Sequence, residues 1–536
     1  MDRATLFPQR ISDWMPEETR IVESIVGFVS EMDLVALGID KERGRIGRPS
    51  LPRKLLLAVW LYGLIKGIRT CRKLEEACRL RVDFRYLAGR VIPDHTTLWR
   101  FFDEHRAAIK ELLRLFVQVL KRLDQVDTSQ VIVDGTTVKA AGSRRKAMSR
   151  KRAEEKYEQL RLELERRMDE MVEGEEKDDG DGPVEDHKKL REQLRCTLEE
   201  EVKRDEISST LSLTDPESRV LRYKEGGSGP GYNVQVTIEG KNGMVVSVEA
   251  TTDVSDASQL SRQVMNASEI TGEIPAVVVA DTGYHSAEEF GSLDEMGVDA
   301  YCPPQRNHRN DPNNPFSKTH FIYDEGADEY ICPLGKRLQY WGFRKKKKGR
   351  RQKEGECIYL CKLGEKCPAF AMCTTNKRGR RIHRALSEKS RDRVMQRLAT
   401  PEGAELMVDR RAIERRIGVI KCRKGVDRIY VWGRKKTTQY LYLVAVALNL
   451  DKSIRLLIRD GDDPVKRIRQ VTREVMAEFR GAGPERTPPG LGRVLSEPRQ
   501  HLCEGLRRAL RGLCGWIGAR APRFAFFRGR VTTCPA

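Results

Sequence analysis

The sequence lacks any apolar run long enough to cross a bilayer. The two longest candidates, Leu55 to Ile65 and Tyr440 to Leu450, fall well short of the roughly 20 residues a spanning helix needs, and charged residues flank both. They read as buried helices. The start, Met1-Asp2-Arg3-Ala4, has no basic segment leading into an apolar one, so export through a leader is not expected. Nor is there the pattern of a disulfide framework: 13 cysteines is an odd number, spread over a long chain, so reduced thiols or metal ligands in a reducing cytoplasm are expected. Acid is in deficit, with 79 Asp+Glu against 99 Lys+Arg and a formal net charge of +20. The 39% hydrophobic and 33% charged residues exclude both an integral membrane protein and a wholly disordered chain. A soluble, strongly basic protein of 536 residues predicts two to four domains and a polyanionic partner, nucleic acid being the commonest.

Helical patterning dominates from Glu17 to about Asp124. Ile21, Ile25, Phe28 and Val29 recur at helical spacing, and Pro49 and Pro52 precede the buried helix of Leu55 to Ile65. Asp94, in Pro93-Asp94-His95-Thr96-Thr97, is placed to cap the helix that carries Leu98, Phe101 and Phe102. A helix-turn-helix-like DNA-binding unit and a plain helical bundle both fit this region. Val131-Ile132-Val133-Asp134-Gly135 is a buried strand ending in an acid. Tyr232 to Ile238 and Met244 to Glu249 form a hairpin about Lys241-Asn242-Gly243. A helix over Ser255 to Ser268, a strand over Ile274 to Asp281, a helix over Ser286 to Met296 and a strand over Val298 to Tyr301 follow. The alternation predicts an α/β fold, a mixed sheet with covering helices.

Two segments interrupt this order. Residues 144–217 carry leucines and methionines at three- and four-residue steps (Tyr157, Leu160, Leu164, Met168, Met171; then Leu190, Leu194, Leu198, Val202) around an acidic stretch from Glu173 to Pro183. A solvated helical hairpin with an acidic tip explains it, with a partner-binding coil as the alternative. Residues 303–400 break the regularity with Pro, Asn, Cys and the run Lys345 to Lys348. Helix is expected again from Glu402 through Lys421 and over Thr437 to Ile454. The expected division is therefore a helical domain over 1–125, a sheet domain over 126–455 holding both insertions, and a basic tail over 456–536, loose beyond about Arg480.

Three acids stand out. Asp134 and Asp281 each end a buried strand, where open α/β sheets place ligands and metals. Glu414 follows Arg410 by four residues and precedes Lys421 by seven, so all three lie on nearly one helix face. Each acid taken alone is most simply a turn or surface residue; the set, in this order, points further. Carboxylates brought together repel unless a cation offsets them, and hard oxygen donors suit Mg²⁺ or Mn²⁺. Two such ions can serve hydrolysis of a phosphodiester. A basic chain with such a site is a candidate nuclease or strand-transferase.

Several phrases then resemble bacterial insertion-sequence transposases of the DDE type, in the group written out as IS-eleven-eighty-two-like. They are Leu61 to Thr70 (LYGLIKGIRT), Ile92 to Thr97 (IPDHTT), Pro230 to Gln235 (PGYNVQ), Ala280 to Tyr284 (ADTGY), and Arg411 to Glu414 followed by Gly418 to Lys421. The resemblance spans roughly residues 10–455. It implies an RNase H-like catalytic core in which Asp134, Asp281 and Glu414 are the catalytic, metal-binding triad. Arg410 and Lys421 would contact DNA phosphates. The family's helix motif, Y-x2-R-x3-E-x6-K, is departed from at its first place, where Met407 stands. The resemblance further implies binding to the element's terminal inverted repeats, metal-dependent cleavage, strand transfer into target DNA, an oligomer assembled on DNA, and no membrane partner. A nuclease without strand transfer and an inactive DNA-binding descendant are the rival functions. A comparable cysteine-rich insertion is frequent in the family, so Cys332, Cys361, Cys367 and Cys373 are candidate ligands of a structural Zn²⁺. Their spacing is not the C-x2-C knuckle, Cys357 competes for the fourth place, and reduced structural thiols fit as well.

Overall fold

Val131, Ile132 and Val133 are fully buried, and β-branched residues covered on both faces make a central strand. In a computed structural model, residues 15–39, 51–89, 91–142, 147–173, 188, 190–192, 194–195, 210–223, 226–305, 314–345, 355–423 and 425–481 are described. Strand β1 (Gln130–Lys139) is followed by the two-residue pair β2 (Ala147–Met148) and β3 (Leu211–Ser212), then β4 (Arg219–Arg222), β5 (Ser228–Glu239), β6 (Val245–Thr251), β7 (Val277–Ala280) and β8 (Asp299–Tyr301). The main sheet runs β4-β5-β1-β7-β8, with β6 also paired to β5. β5 is antiparallel to both β1 and β6, whereas β7 runs parallel to β1 and β8 parallel to β7. This is the mixed α/β sheet the sequence predicts.

Helices cover the sheet and share its core. Helix Arg53–Ile65 is buried continuously from Leu56 to Ile65, and helix Arg434–Arg459 from Tyr440 to Leu450, which accounts for the two apolar runs. Among the described residues no helix is long and apolar enough to cross a membrane. Asp94 caps helix His95–His105 as expected, its Oδ1 accepting from the amides of Thr96 and Thr97, each at 2.9 Å. One continuous apolar core joins the N-terminal helices, the sheet and the late helices. The hairpin insertion has a small core of its own: Ala153, Leu160, Leu194 and Leu213. Its first helix is Arg150–Glu173; the acidic tip and most of the second helix lie outside the described residues.

Three expectations need correction. The stretch 303–400 is not irregular. It holds a second sheet of β9 (Ile322–Asp324), β10 (Glu329–Ile331), β11 (Arg337–Arg344), β12 (Glu356–Leu360) and β13 (Arg381–Ala385), ordered β13-β12-β11-β10-β9 and antiparallel throughout. Second, residues 456–481 are not tail. Helix Arg434–Arg459 runs past 456, and helix Pro464–Gly481 buries Ile468, Val471, Val475 and Met476 against helices Pro16–Glu31 and Ile109–Arg122. The tail beyond 481 lies outside the described residues. Third, the helix expected over Glu402 to Lys421 is broken into Pro401–Asp409, Arg411–Gly418 and a π-helical segment Val419–Arg423. Arg410 stands at the first break, and π-type turns inside helices recur at functional sites.

Candidate functional site

The register places the first two acids. Val133 pairs with Ala280 across the parallel strands β1 and β7, so Asp134 and Asp281 come next on neighbouring strands. Asp281 follows the end of β7 as expected, but Asp134 does not end its strand: β1 runs on to Lys139, paired with β5, and Asp134 lies opposite Val236. Asp134 is 8% exposed and its Oδ1 accepts from the amide of Gly135 at 2.8 Å. Asp281 turns back on its own chain: its Oδ1 accepts from Gly283 N at 2.8 Å, and the carbonyl accepts from the Cys302 thiol at 2.9 Å. That thiol is pushed up by burial and by Asp281, against the pull of Arg410.

Glu414 is carried by helix Arg411–Gly418, which buries Ile413 and Ile417 and packs on β1 and β5. Its carboxylate is over half exposed and is paired with Arg410 at 2.9 Å. The predicted shared face of Arg410 and Glu414 is present. Lys421 sits in the π-helical turn beyond, and Met407 packs partly buried against the core.

A polar network behind the aspartates was not foreseen. Asn233 and Gln235 point to the same face of β5 because side chains alternate along a strand. Both amide groups donate to Asp256 Oδ1, each at 2.7 Å. The buried Tyr284 hydroxyl donates to Gln235 Oε1. Burial first, then Asp256, Asp134 and Asp281, raise the Tyr284 phenol well above its ordinary value, so it stays a donor. A signal was in the sequence: Asn and Gln inside a strand of otherwise buried residues demand partners.

As to cation binding, carboxylates beside a protonated phenol offer hard oxygen donors, the chemistry that suits Mg²⁺ or Mn²⁺. Among the described residues, no three or more His, Cys, Asp or Glu side chains are grouped to hold a metal ion, neither these acids nor the cysteines. Glu414 in particular would have to turn from Arg410.

The cysteines converge. Cys332, Cys361, Cys367 and Cys373 line one small cavity with Phe316, Phe321 and Leu338. Burial and the other three thiols raise the Cys373 thiol, against Arg380. A tight turn folds round Cys332: Gly335 N donates to its carbonyl at 2.8 Å and Lys336 N to its sulfur at 3.2 Å. Cys357 is not among the residues lining that cavity; Asp328 and Arg384 are its charged neighbours.

Comparison with known proteins gives two family matches in chain order. Residues 10–104 match the family described as "Transposase domain (DUF772)", and residues 331–454 match "Transposase DDE domain". No curated protein matches the chain. Among solved structures, a piggyBac transposase synaptic complex with hairpin DNA aligns with 90% of this chain and 85% of that one. The identity is 10% and the TM-score 0.29, too low to bear on the fold.

Proposed function

The chain is an insertion-sequence transposase of the DDE type, and from that premise we propose that it binds the terminal inverted repeats of its own element, cleaves there and joins the ends to target DNA. The observation that carries the proposal is the Val133–Ala280 register of β1 and β7, which sets Asp134 and Asp281 next in line on neighbouring strands, with the helix of Glu414 packed on the same strand β1. Three antiparallel strands (β6, β5, β1) followed by two parallel ones (β7, β8) support an RNase H-like core, and the quoted phrases support the IS-eleven-eighty-two-like group.

The family generally uses divalent metal ions. We assign Mg²⁺ or Mn²⁺ to Asp134, Asp281 and Glu414; when bound, such ions activate an attacking oxygen and stabilise the leaving one. Asp134 and Asp281 each accept from a following glycine amide, of Gly135 and Gly283 respectively. Glu414 joins them by leaving Arg410, which frees that guanidinium for a DNA phosphate. Arg410 and Lys421 then hold the strand in register. In the first step water attacks the phosphorus at the element's end and the P–O bond breaks, leaving a 3′-hydroxyl. In the second, that hydroxyl attacks a target phosphodiester and the target's own 3′-oxygen leaves with the proton. The bond count is unchanged, so no high-energy cofactor is consumed. The N-terminal helical region, as a DNA-binding domain over 1–125, contributes end recognition. The protein works as an oligomer in the bacterial cytoplasm, on the nucleoid. Structural Zn²⁺ held by Cys332, Cys361, Cys367 and Cys373 completes the assignment, supported by their shared cavity and the turn at Cys332.

Purified protein, labelled element ends, Mg²⁺ and a target plasmid test this reading. Joined products are expected. Cleavage without joining would make the protein a nuclease, and retention without cleavage an inactive DNA-binding descendant. D134A, D281A and E414A should each abolish cleavage and leave end binding intact; cleavage surviving in any one removes that residue from the triad.

A further inference from the structure

Asp256 lies in the turn between β6 and helix Leu260–Thr271, far in sequence from Asp134 and Asp281, yet it abuts the two glycines beside them. A methyl group added at Gly135 would fall 2.7 Å from Asp256 Oδ1, and one at Gly283 would fall 3.5 Å from Asp256 Oδ2. No side chain larger than hydrogen fits at Gly135 while Asp256 holds its place. The two carboxylate oxygens thus face two different chain segments: Oδ1 meets the residue after Asp134, and Oδ2 looks toward the turn after Asp281.

The orientation is built rather than incidental. Oδ1 accepts from both Asn233 and Gln235, whose neighbours on β1 are Thr137 and Gly135. Gln235 is fully buried and its other end is occupied by the Tyr284 hydroxyl. A Tyr–Gln–Asp–Asn chain therefore locks the carboxylate. Placing three negative groups this close is unfavourable without a cation, so a fold that fixes the third one deliberately gains from a bound positive charge. Groups just outside the ligands of a metal tune it in this manner, and losing one commonly weakens binding 10- to 100-fold.

We propose that Asp256 is a positioning residue of the transposase metal site: its carboxylate sets the spacing of Asp134 and Asp281 and supplies the negative charge that raises their affinity for a divalent cation. The inference rests on the reading of Asp134 and Asp281 as cation ligands. It also gives the Pro-Gly-Tyr-Asn-Val-Gln phrase a physical task, since Asn233 and Gln235 are the two donors that hold Asp256.

The test is a Mn²⁺ titration of the full-length protein followed by electron paramagnetic resonance, without DNA, alongside the cleavage assay. D256N keeps an oxygen able to accept both amides and removes only the charge. Mn²⁺ affinity should fall at least about tenfold, and cleavage should return as Mn²⁺ is raised. D256E keeps the charge and should bind Mn²⁺ more tightly than D256N; it also serves where D256N melts too low to measure. Wild-type affinity in D256N, with affinity lost in D134N and D281N, would overturn the role of Asp256 alone and leave the site assignment standing. Wild-type affinity in D134N and D281N would overturn that assignment and Asp256 with it. Equal weakness of D256E and D256N would show that Asp256 acts by shape alone and would overturn its role as a source of charge.

Discussion

The two larger sheets among the described residues are stabilised by different means. In the first, β5 and β6 are buried along almost their whole length, and helices Leu260–Thr271 and Arg434–Arg459 pack on β6. In the second, Arg337, Gln339, Tyr340, Trp341, Phe343 and Arg344 of β11 are exposed, and the core is six buried residues, two of them tyrosines. That core is tied together through rings and cations. Tyr323, Tyr330 and Tyr359 lie within 5.0–5.9 Å of one another, and the buried Arg384 stacks 3.7 Å over Tyr323 while donating to the Tyr330 hydroxyl. The first sheet draws on area removed from water; the second on a few directional contacts and four thiols. A small core seldom suffices alone, so the second sheet should be the more easily opened.

The largest effect should come from the thiols. If Zn²⁺ binds as proposed, a strong chelator, or C367S, should raise amide hydrogen exchange throughout β9 to β13 and leave β1, β5 and β7 protected, because binding free energy at such sites is folding free energy. Unchanged exchange, together with no zinc in the purified protein, would leave the cysteines as structural thiols. Next comes F116A. Phe116 is fully buried and meets Phe28 edge-on at 4.7 Å, so its loss should cost about 3–5 kcal/mol, read as a lower midpoint of the main unfolding transition. Y330A should instead loosen β9 to β13 and move that midpoint little. Equal shifts from both variants would break the distinction between the sheets. R384A is expected to cost about 2 kcal/mol, again confined to the second sheet, through the lost stacking and hydrogen bond.

The same contrast explains what could be read in advance. Val131 to Val133 and Val277 to Ala280 are apolar runs closed by an acid, and such runs announce central strands. β9 and β10 are three residues each and β11 places Tyr340, Trp341 and Phe343 in a row across a bulge, so neither length nor alternation betrays a sheet. The late helix was legible in composition but not in its breaks, because Arg410 and Val419 both keep helical dihedral angles. Of the site, Asp134, Asp281 and the Arg410–Glu414 face were visible as local patterns. Asp256 was not: it follows a strand by a few ordinary turn residues, and its place beside Gly135 and Gly283 exists only after β5, β1 and β7 have paired.

The smallest effect probes the first sheet from beneath. Under the β5–β6 hairpin, the Glu239 carboxylate is fully buried and accepts from the amides of Asp127, Lys241, Asn242 and Met244. Burial still raises its pKa. Arg416, one residue pair along from Glu414, is lowered to about 10 by burial, and Lys452 is lowered to about 8 by burial and then by Arg416, with Glu239 opposing. For Lys452 the folded value lies below the ordinary 10.5, so its contribution to stability is present above 10.5 and is lost as pH falls through about 8. K452M should therefore flatten the pH dependence of the main transition between pH 10.5 and 8. The change should be on the order of 1 kcal/mol, since water reaches part of the amine. Exchange in β9 to β13 should not respond, because no member of this cluster touches the second sheet's core. A slope that persists in K452M, or one that appears in the second sheet, would place the titrating group elsewhere.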